Sequence, residues 1–472
     1  MSGNIAVVTA SPSKLFFVSM LTRDIDLKDA ILDLLDNCID GLLRDQRGKS
    51  STNKPYDGYW ARITASPTEF TIADNCGGIP RELAINSAFR LGRSDLTRDS
   101  DLPTVGMYGI GMKRALFKMG KRSRVDSQHQ GDSYYVEIPP EWLNDDDNWR
   151  LDLTPTTPTN EPNGTRITVT DLHPNIAGQF NKVRNTFLDD LDKDISNLFA
   201  VIIKKGFTVY LNDRKIEPAD FVLLFPTNFK RETGTSIRPY AYEAIFEGVR
   251  IEVVIGFYRE LASDSEAEGE RHIPRKSDNA GWTVICNDRV VLYRDKTSIT
   301  GWGIRDVPQY HTQFIAIVGV VNFSSNDSYK LPLNTTKRGL DTSSPVYLHA
   351  LNRMMEGLKQ FTDFTNRWKG RQSETTAAFR TLTPRDATQV ANSIPEEVWR
   401  PVRGGGEAAR RFTPDLPRPS QDNENRRISF YRPKDEIELL GRYFFDDVDA
   451  EPSDVGIHCF EDALKQARKE IK

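Results

Sequence analysis

The chain has 472 residues, more than one hydrophobic core ordinarily serves, so two principal domains with appendages are expected. Apolar residues make up 38%, charged residues 28% and the formal charge is -4, a globular composition with no global attraction to nucleic acid and no apolar run long enough to span a bilayer. Residues 1–21 lack the cationic segment and cleavage site of a secretory signal, and Cys38, Cys76, Cys286 and Cys459 form no CxxC pair; a cytoplasmic chain with reduced thiols and no membrane partner is expected.

The first patterned element covers residues 30–41. Ile31, Leu35, Cys38 and Leu42 recur at helical spacing and leave Asp33, Asn37 and Asp40 together on another face. Alone, this is an amphipathic helix with a solvated acidic face. Residues 71–80 read as a short strand entering a tight turn, with Asp74 at the strand end and Gly77, Gly78 and Ile79 beyond it. A carboxylate there can accept a hydrogen bond from an exocyclic amino group, while the glycines let a flat ring approach the backbone. In residues 105–120, Gly106, Gly109 and Gly111 precede a helix closing at Gly120. Such a turn offers free backbone N–H groups and the positive end of a helix dipole to phosphate oxygens, and Lys113 adds a cation. No clear strand precedes these glycines, so a dinucleotide-fold reading fails its context. Residues 163–172 are a Gly-Thr step leading into an alternating strand.

Taken in this order, the four elements resemble the signature of the Bergerat ATP-binding fold of the GHKL superfamily, over residues 15–172. That superfamily contains gyrase B subunits, MutL, the ATP-clamp heat-shock chaperones, histidine kinases and MORC proteins; the MORC and chaperone members look nearest. The resemblance implies ATP and Mg2+ as cofactors. It assigns Asn37 to the magnesium, Asp74 to the adenine amino group, Gly78 and Ile79 to the base pocket, Gly106, Gly109 and Gly111 to the lid, and Thr165 to support of the Asp74 contact or of a water beside it. Asp33 stands at the place of the general base, where the family has a glutamate one methylene longer, so slow hydrolysis is expected. Cys76 stands where the first glycine of the adenine turn is usual.

Residues 236–370 carry strand-like runs at 249–258 and 314–323, an acidic loop at 262–270 and a helix at 346–364. This part resembles the transducer domain of gyrase B and MutL: residues 281–291 look like a strand pair joined by an Asn-Asp turn, and Thr336-Lys337 like the loop that brings a lysine to the terminal phosphate. Residues 371–433, rich in Arg, Pro, Gly and Asn, read as a partly disordered linker, and 434–472 as a helical segment broken at Pro452. The fold class is therefore α/β (α+β), with a Bergerat-type sandwich at 1–235, the transducer-like domain and a small helical end. The resemblance implies an ATP-gated, dimerising clamp or switch, acting on DNA or a DNA-associated protein complex. A chaperone-like clamp for a protein client, and a nearly non-hydrolysing interaction protein in anti-phage defence, are the alternatives. None of the six histidines is placed as a phosphoacceptor, which sets a histidine kinase aside.

Overall fold

β1 (Trp60–Ala65) alternates buried and exposed residues, and pairs antiparallel with β2 (Glu69–Asp74), whose middle residues are buried. The computed structural model describes residues 13–47, 54–90, 102–104, 109–181, 186–227, 229, 236–263, 266–267, 279–334, 337–419, 428 and 430–471. Gly106, Thr336 and most of the acidic loop lie outside them.

Among the described residues the first sheet has the order β5-β4-β3-β6-β2-β1-β7-β8. Its remaining strands are β3 (Gly120–His129), β4 (Asp132–Ile138), β5 (Leu153–Pro155), β6 (Gly164–Leu172), β7 (Thr208–Leu211) and β8 (Arg214–Lys215). Helices α1 (Lys14–Arg23), α2 (Leu27–Asp45) and α3 (Gly111–Met119) pack with it. Ile31, Leu35 and Leu42 of α2 share one core with Ile63, Phe70 and Ile72 of the β1–β2 hairpin. Leu35 is fully buried there, a burial that stabilises by about 2 kcal/mol, and Leu35→Ala would cost about 2–5 kcal/mol once the cavity is counted.

The second sheet has the order β13-β12-β14-β11-β10-β17-β16. Its central strands, β10 (Tyr240–Phe246), β11 (Val249–Phe257), β12 (Gly281–Cys286) and β14 (Ile317–Ser324), are largely buried, and α4 (Pro345–Arg367) packs on β10, β11 and β14. Phe257 meets Phe361 and Phe364 of α4 at 5.1 and 5.4 Å between ring centres. The helix begins where Ser344 caps the Tyr347 N–H and Pro345 takes the first turn.

β12 joins β13 (Arg289–Asp295) through Asn287 and Asp288, both left-handed at φ 47° and 66°, the backbone of a tight hairpin turn. This turn docks on the first sheet's layer. Tyr56 Oη and Lys205 Nζ donate to Asp288 at 2.8 and 2.6 Å, and Asn287 Nδ2 donates to the Thr104 carbonyl at 3.3 Å.

Residues 371–418 are not the linker expected from composition. β15 (Leu382–Asp386) pairs with β9 (Val222–Pro226), and β17 (Glu407–Phe412), flanked by β16 (Arg400–Pro401), extends the second sheet on β10. Trp399 and Phe412 supply buried anchors there, enough for edge strands that cover one face only. The compact unit ends at Arg418, and a second unit runs from Pro419 to Lys472. Among the described residues it holds two helices, α5 (Lys434–Phe445) and α6 (Pro452–Glu470), with Pro452 in the first turn of the latter. Cys38, Cys76 and Cys286 are buried free thiols, and Cys459 on α6 is partly exposed. No helix among the described residues is long and apolar enough to cross a membrane.

Candidate functional site

The residues singled out in the sequence converge on one cleft between α2, the β2 end and α3. Asp33, Asn37, Asp74, Gly78, Ile79, Gly109, Gly111, Lys113, Thr165 and Lys337 all line it. α2 is buried from Ala30 through Asp40 except at Asn37, which is exposed. The acidic face is thus not a solvated one: Asp33, Asp36 and Asp40 are all buried.

At the far end, the β2 strand stops at Asp74. Its Oδ1 accepts the Cys76 N–H at 2.8 Å and the Thr165 N–H at 3.4 Å. Burial pushes the Asp74 carboxyl up to about 6 against the opposing pull of these donors. Cys76, at the place of a usual glycine, keeps its side chain buried and lends the turn its N–H. The positive φ falls on the two glycines that follow. At Gly78 a Cβ would lie 2.1 Å from the Gln128 carbonyl oxygen, and at Gly164 one would lie 2.0 Å from that of Asp74, so close strand approach excludes side chains at both. These contacts explain the Gly-Thr step at the start of β6.

α3 begins at Gly111, beside Asp33, and brings two cations. Lys113 Nζ donates to the carbonyls of Ala88 at 2.8 Å and of Gly109. Arg114 reaches Asp33 Oδ2 at 3.4 Å, and its buried Nε has no hydrogen-bond partner among the described residues. The sequence assigned no role to Arg114, although it adjoins Lys113.

Lys337 enters the same cleft from the segment between β14 and α4. Its ammonium lies 3.0 Å from Asp36 Oδ2 and 3.6 Å from Asp33 Oδ1, and its backbone is left-handed at φ 56°. Asp36 also accepts from Arg289 Nε at 2.8 Å, at the start of β13, and both side chains are 2% exposed. Arg289 further donates to the carbonyls of Leu198 and Val290 and lies over the Phe199 ring. Burial works against the Lys337 ammonium, yet Asp36, Asp33 and Asp40 outweigh it and hold its pKa above that of a free lysine. Burial pushes Asp33 up, opposed chiefly by Lys337 and then by Arg114. Burial alone would raise Asp36 as well, but Arg289 and Lys337 hold it below the usual carboxylate range. Sequence reasoning missed Asp36 and Arg289; the only trace of them is an acid directly before Asn37 and a cation directly after the Asn-Asp turn.

The cleft therefore has an acceptor at one end and, at the other, a carboxylate among cations, a separation suited to an amino-bearing ring and a polyanion. Residues 25–171, which span α2, every cleft residue named above except Lys337, and most of the first sheet, match the family model described as Histidine kinase-, DNA gyrase B-, and HSP90-like ATPase. No curated protein matches the chain.

Proposed function

Because residues 25–171 belong to the histidine kinase, DNA gyrase B and HSP90-like ATPase family, we propose that the chain is a slow, Mg-dependent ATPase whose nucleotide state switches the pairing of two copies. The observation that carries this reading is the place of Lys337. A lysine from the second sheet's loop stands within 3.6 Å of Asp33, in the cleft that Asp74 closes at its other end.

The residues fit the nucleotide. Asp74 is an acceptor for the adenine amino group in a site where Gly78 leaves the backbone bare, and the exposed Asn37 would hold a magnesium ion through its amide oxygen. Bound magnesium supplies charge neutralisation to the phosphates. Asp33 takes the proton of the attacking water on a carboxylate oxygen, and Arg114, with an N–H to spare, stabilises the charge on the transferring group. Lys337 exchanges its carboxylate partners for the terminal phosphate. ADP lacks that partner, so the lysine's contact exists in one nucleotide state and supplies the differential free energy that a switch requires. An Asp33 held between Arg114 and Lys337, and short by one methylene, favours a low rate; this supports the neighbouring reading of a protein that binds ATP and scarcely turns it over.

Sedimentation of wild type and Lys337→Ala with Mg-ADP and with a non-hydrolysable Mg-ATP analogue tests the proposal. Wild type is expected to associate further only in the analogue, and the variant in neither. Identical sedimentation of wild type in both nucleotides removes the gated switch. The likeness to MORC proteins and MutL makes duplex DNA the partner to add in a parallel run. Co-sedimentation of the duplex with the analogue-bound form supports a DNA-acting switch, and its failure beside suppressed aggregation of an unfolded protein supports the chaperone-like clamp.

A further inference from the structure

α2 carries more acid along one side than the nucleotide chemistry uses. Asp29, Asp33, Asp36 and Asp40 recur at steps of four, three and four residues, so they form one ladder along a single side of the helix. Asp33 and Asp36 face Lys337, and Asp29, one turn earlier, faces the residue that follows it. The Arg338 guanidinium stands between two carboxylates, in ion-pair contact with Asp29 Oδ1 through Nε and 3.2 Å from Asp194 Oδ2 through Nη2. Asp194 belongs to the helix Phe187–Leu198 and is shared with Lys28 Nζ at 3.1 Å. Burial raises the Asp29 carboxyl, and Arg338 is the chief charge that opposes it.

Two successive cations of one loop therefore grip the same helix about a turn apart, and only one of them is in the cleft. Lys337 lines it with its side chain 9% exposed, whereas Arg338 does not line it and is 29% exposed. The loop is closed on itself: the Asp341 N–H donates to the Pro332 carbonyl and the Asn334 N–H to that of Gly339, both at 3.1 Å, and Leu333 bridges Leu340. Within it Lys337 is left-handed, a conformation that an L side chain keeps only where its surroundings enforce it. Here the Lys337 N–H donates to the Asn334 carbonyl, its ammonium is held by Asp36, and the next residue is fixed by Asp29 and Asp194. When the ammonium leaves Asp36 for a phosphate, Arg338 is the charged anchor of the loop that stays in place.

We propose that Arg338 is a positioning residue for Lys337: it pins the loop to α2 and to the helix Phe187–Leu198 from outside the cleft, so that the ammonium moves between Asp36 and the terminal phosphate about a fixed backbone. The inference rests on the role given to Lys337 in the nucleotide switch. A lysine is a point charge on a flexible stem, and only its backbone can set where the charge arrives. A displacement of about 1 Å at that point can cost about a hundredfold in rate. Because Arg338 does not line the cleft, its removal spares the contacts that ADP and ATP share. Its planar guanidinium serves carboxylates on two helices at once; a lysine in its place can serve one of them fully.

The test measures affinity for Mg-ADP and for a non-hydrolysable Mg-ATP analogue by calorimetry, with steady-state kcat and KM, in the full chain. The proteins are wild type, Lys337→Ala, Arg338→Gln, Arg338→Lys and the double variant of Lys337→Ala with Arg338→Gln. Arg338→Gln is expected to keep ADP affinity within about twofold, to remove most of the preference for the analogue and to lower kcat by about tenfold or more, and Arg338→Lys to recover part of both losses. Asp194→Asn, which leaves Arg338 in place and takes one of its carboxylates away, should reproduce the loss in weaker form even if Arg338→Gln fails to fold. The double variant decides the mechanism: if Arg338 acts through Lys337, its substitution adds nothing to Lys337→Ala in either the preference or kcat. Losses of equal size in both backgrounds, a folded Arg338→Gln with wild-type preference and kcat, or one that loses ADP as well overturns the inference. Should Lys337→Ala remove the preference while Arg338→Gln retains it, the lysine switch stands and only the anchor is lost. Should Lys337→Ala itself keep the preference, the switch falls and the anchor with it.

Discussion

Asp36→Asn changes one atom at the centre of the molecule and should be felt throughout it. In the native fold the carboxylate takes Arg289 at 2.8 Å and Lys337 at 3.0 Å, at a position 2% exposed, and these bonds join α2 of the first sheet's layer to β13 and to the Lys337 loop. Removing the charge leaves two buried cations without their acceptor. Breaking a buried pair from one side costs about 3–5 kcal/mol. The lower end applies here: Lys337 retains Asp33 at 3.6 Å, and Arg289 retains two carbonyls and the Phe199 ring. A loss of about 3 kcal/mol is therefore expected in the first cooperative transition of a denaturant titration. Lys359→Ala is the control, since its pair with Asp363 is about half exposed and worth no more than about 0.5 kcal/mol. The sign with pH is also fixed. A carboxyl held below its unfolded pKa stabilises the fold above that value, and the benefit is lost as pH falls through the folded one. The difference between wild type and Asp36→Asn should accordingly shrink in acid. A substitution no costlier at neutral pH than the control would show that the Asp36 cluster does not join the two sheets energetically.

With its carboxyl near pH 6, Asp74 should make nucleotide affinity fall about tenfold between pH 7 and 5, as the acceptor is protonated; Asp74→Asn should abolish binding, and a flat pH profile by calorimetry would contradict the adenine assignment. The same raised pKa gives the opposite sign for the empty fold, which loses stability as pH rises from about 4 to 6 because the buried ionised form is disfavoured. Asp33→Asn should bind ATP without turnover, whereas Asp33→Glu should raise the rate in a steady-state phosphate-release assay. Its added methylene must slide past Gly111, whose ideal Cβ position is 3.3 Å from Asp33 Oδ2, so a fall in rate would mean the pocket has closed around aspartate.

Much of the cleft was legible because its parts are local. The stripe of Ile31, Leu35 and Leu42, the strand end at Asp74 and the glycines before α3 each signal within a dozen residues, and their order along the chain did the rest. The Asn-Asp turn at 287–288 was legible for the same reason. Asp36 was not: its partners come from a strand and a loop more than two hundred residues away, so no periodicity announces the pairing, and an acid on a helix reads as solvated until the covering element is seen. Residues 371–418 misled in the other direction. Their arginines, prolines and glycines dilute the apolar signal, but strands at a sheet edge bury one face and need only anchors such as Trp399 and Phe412.

The distribution of the four thiols gives the molecule a built-in handle. Burial raises the pKa of Cys38, Cys76 and Cys286, and the Asp74 charge adds to the first two, so at neutral pH they hold little thiolate and face no solvent. Cys459 alone is within reach of a maleimide, and it sits one residue from Phe460 on α6. The native sequence therefore accepts a single fluorophore per chain, on α6, and energy transfer between donor- and acceptor-labelled copies reads any pairing of two chains. Labelling of Cys38 or Cys76 would report that the cleft itself has opened, which makes the reactivity of these two thiols a direct gauge of how tightly the base end of the cleft is held shut.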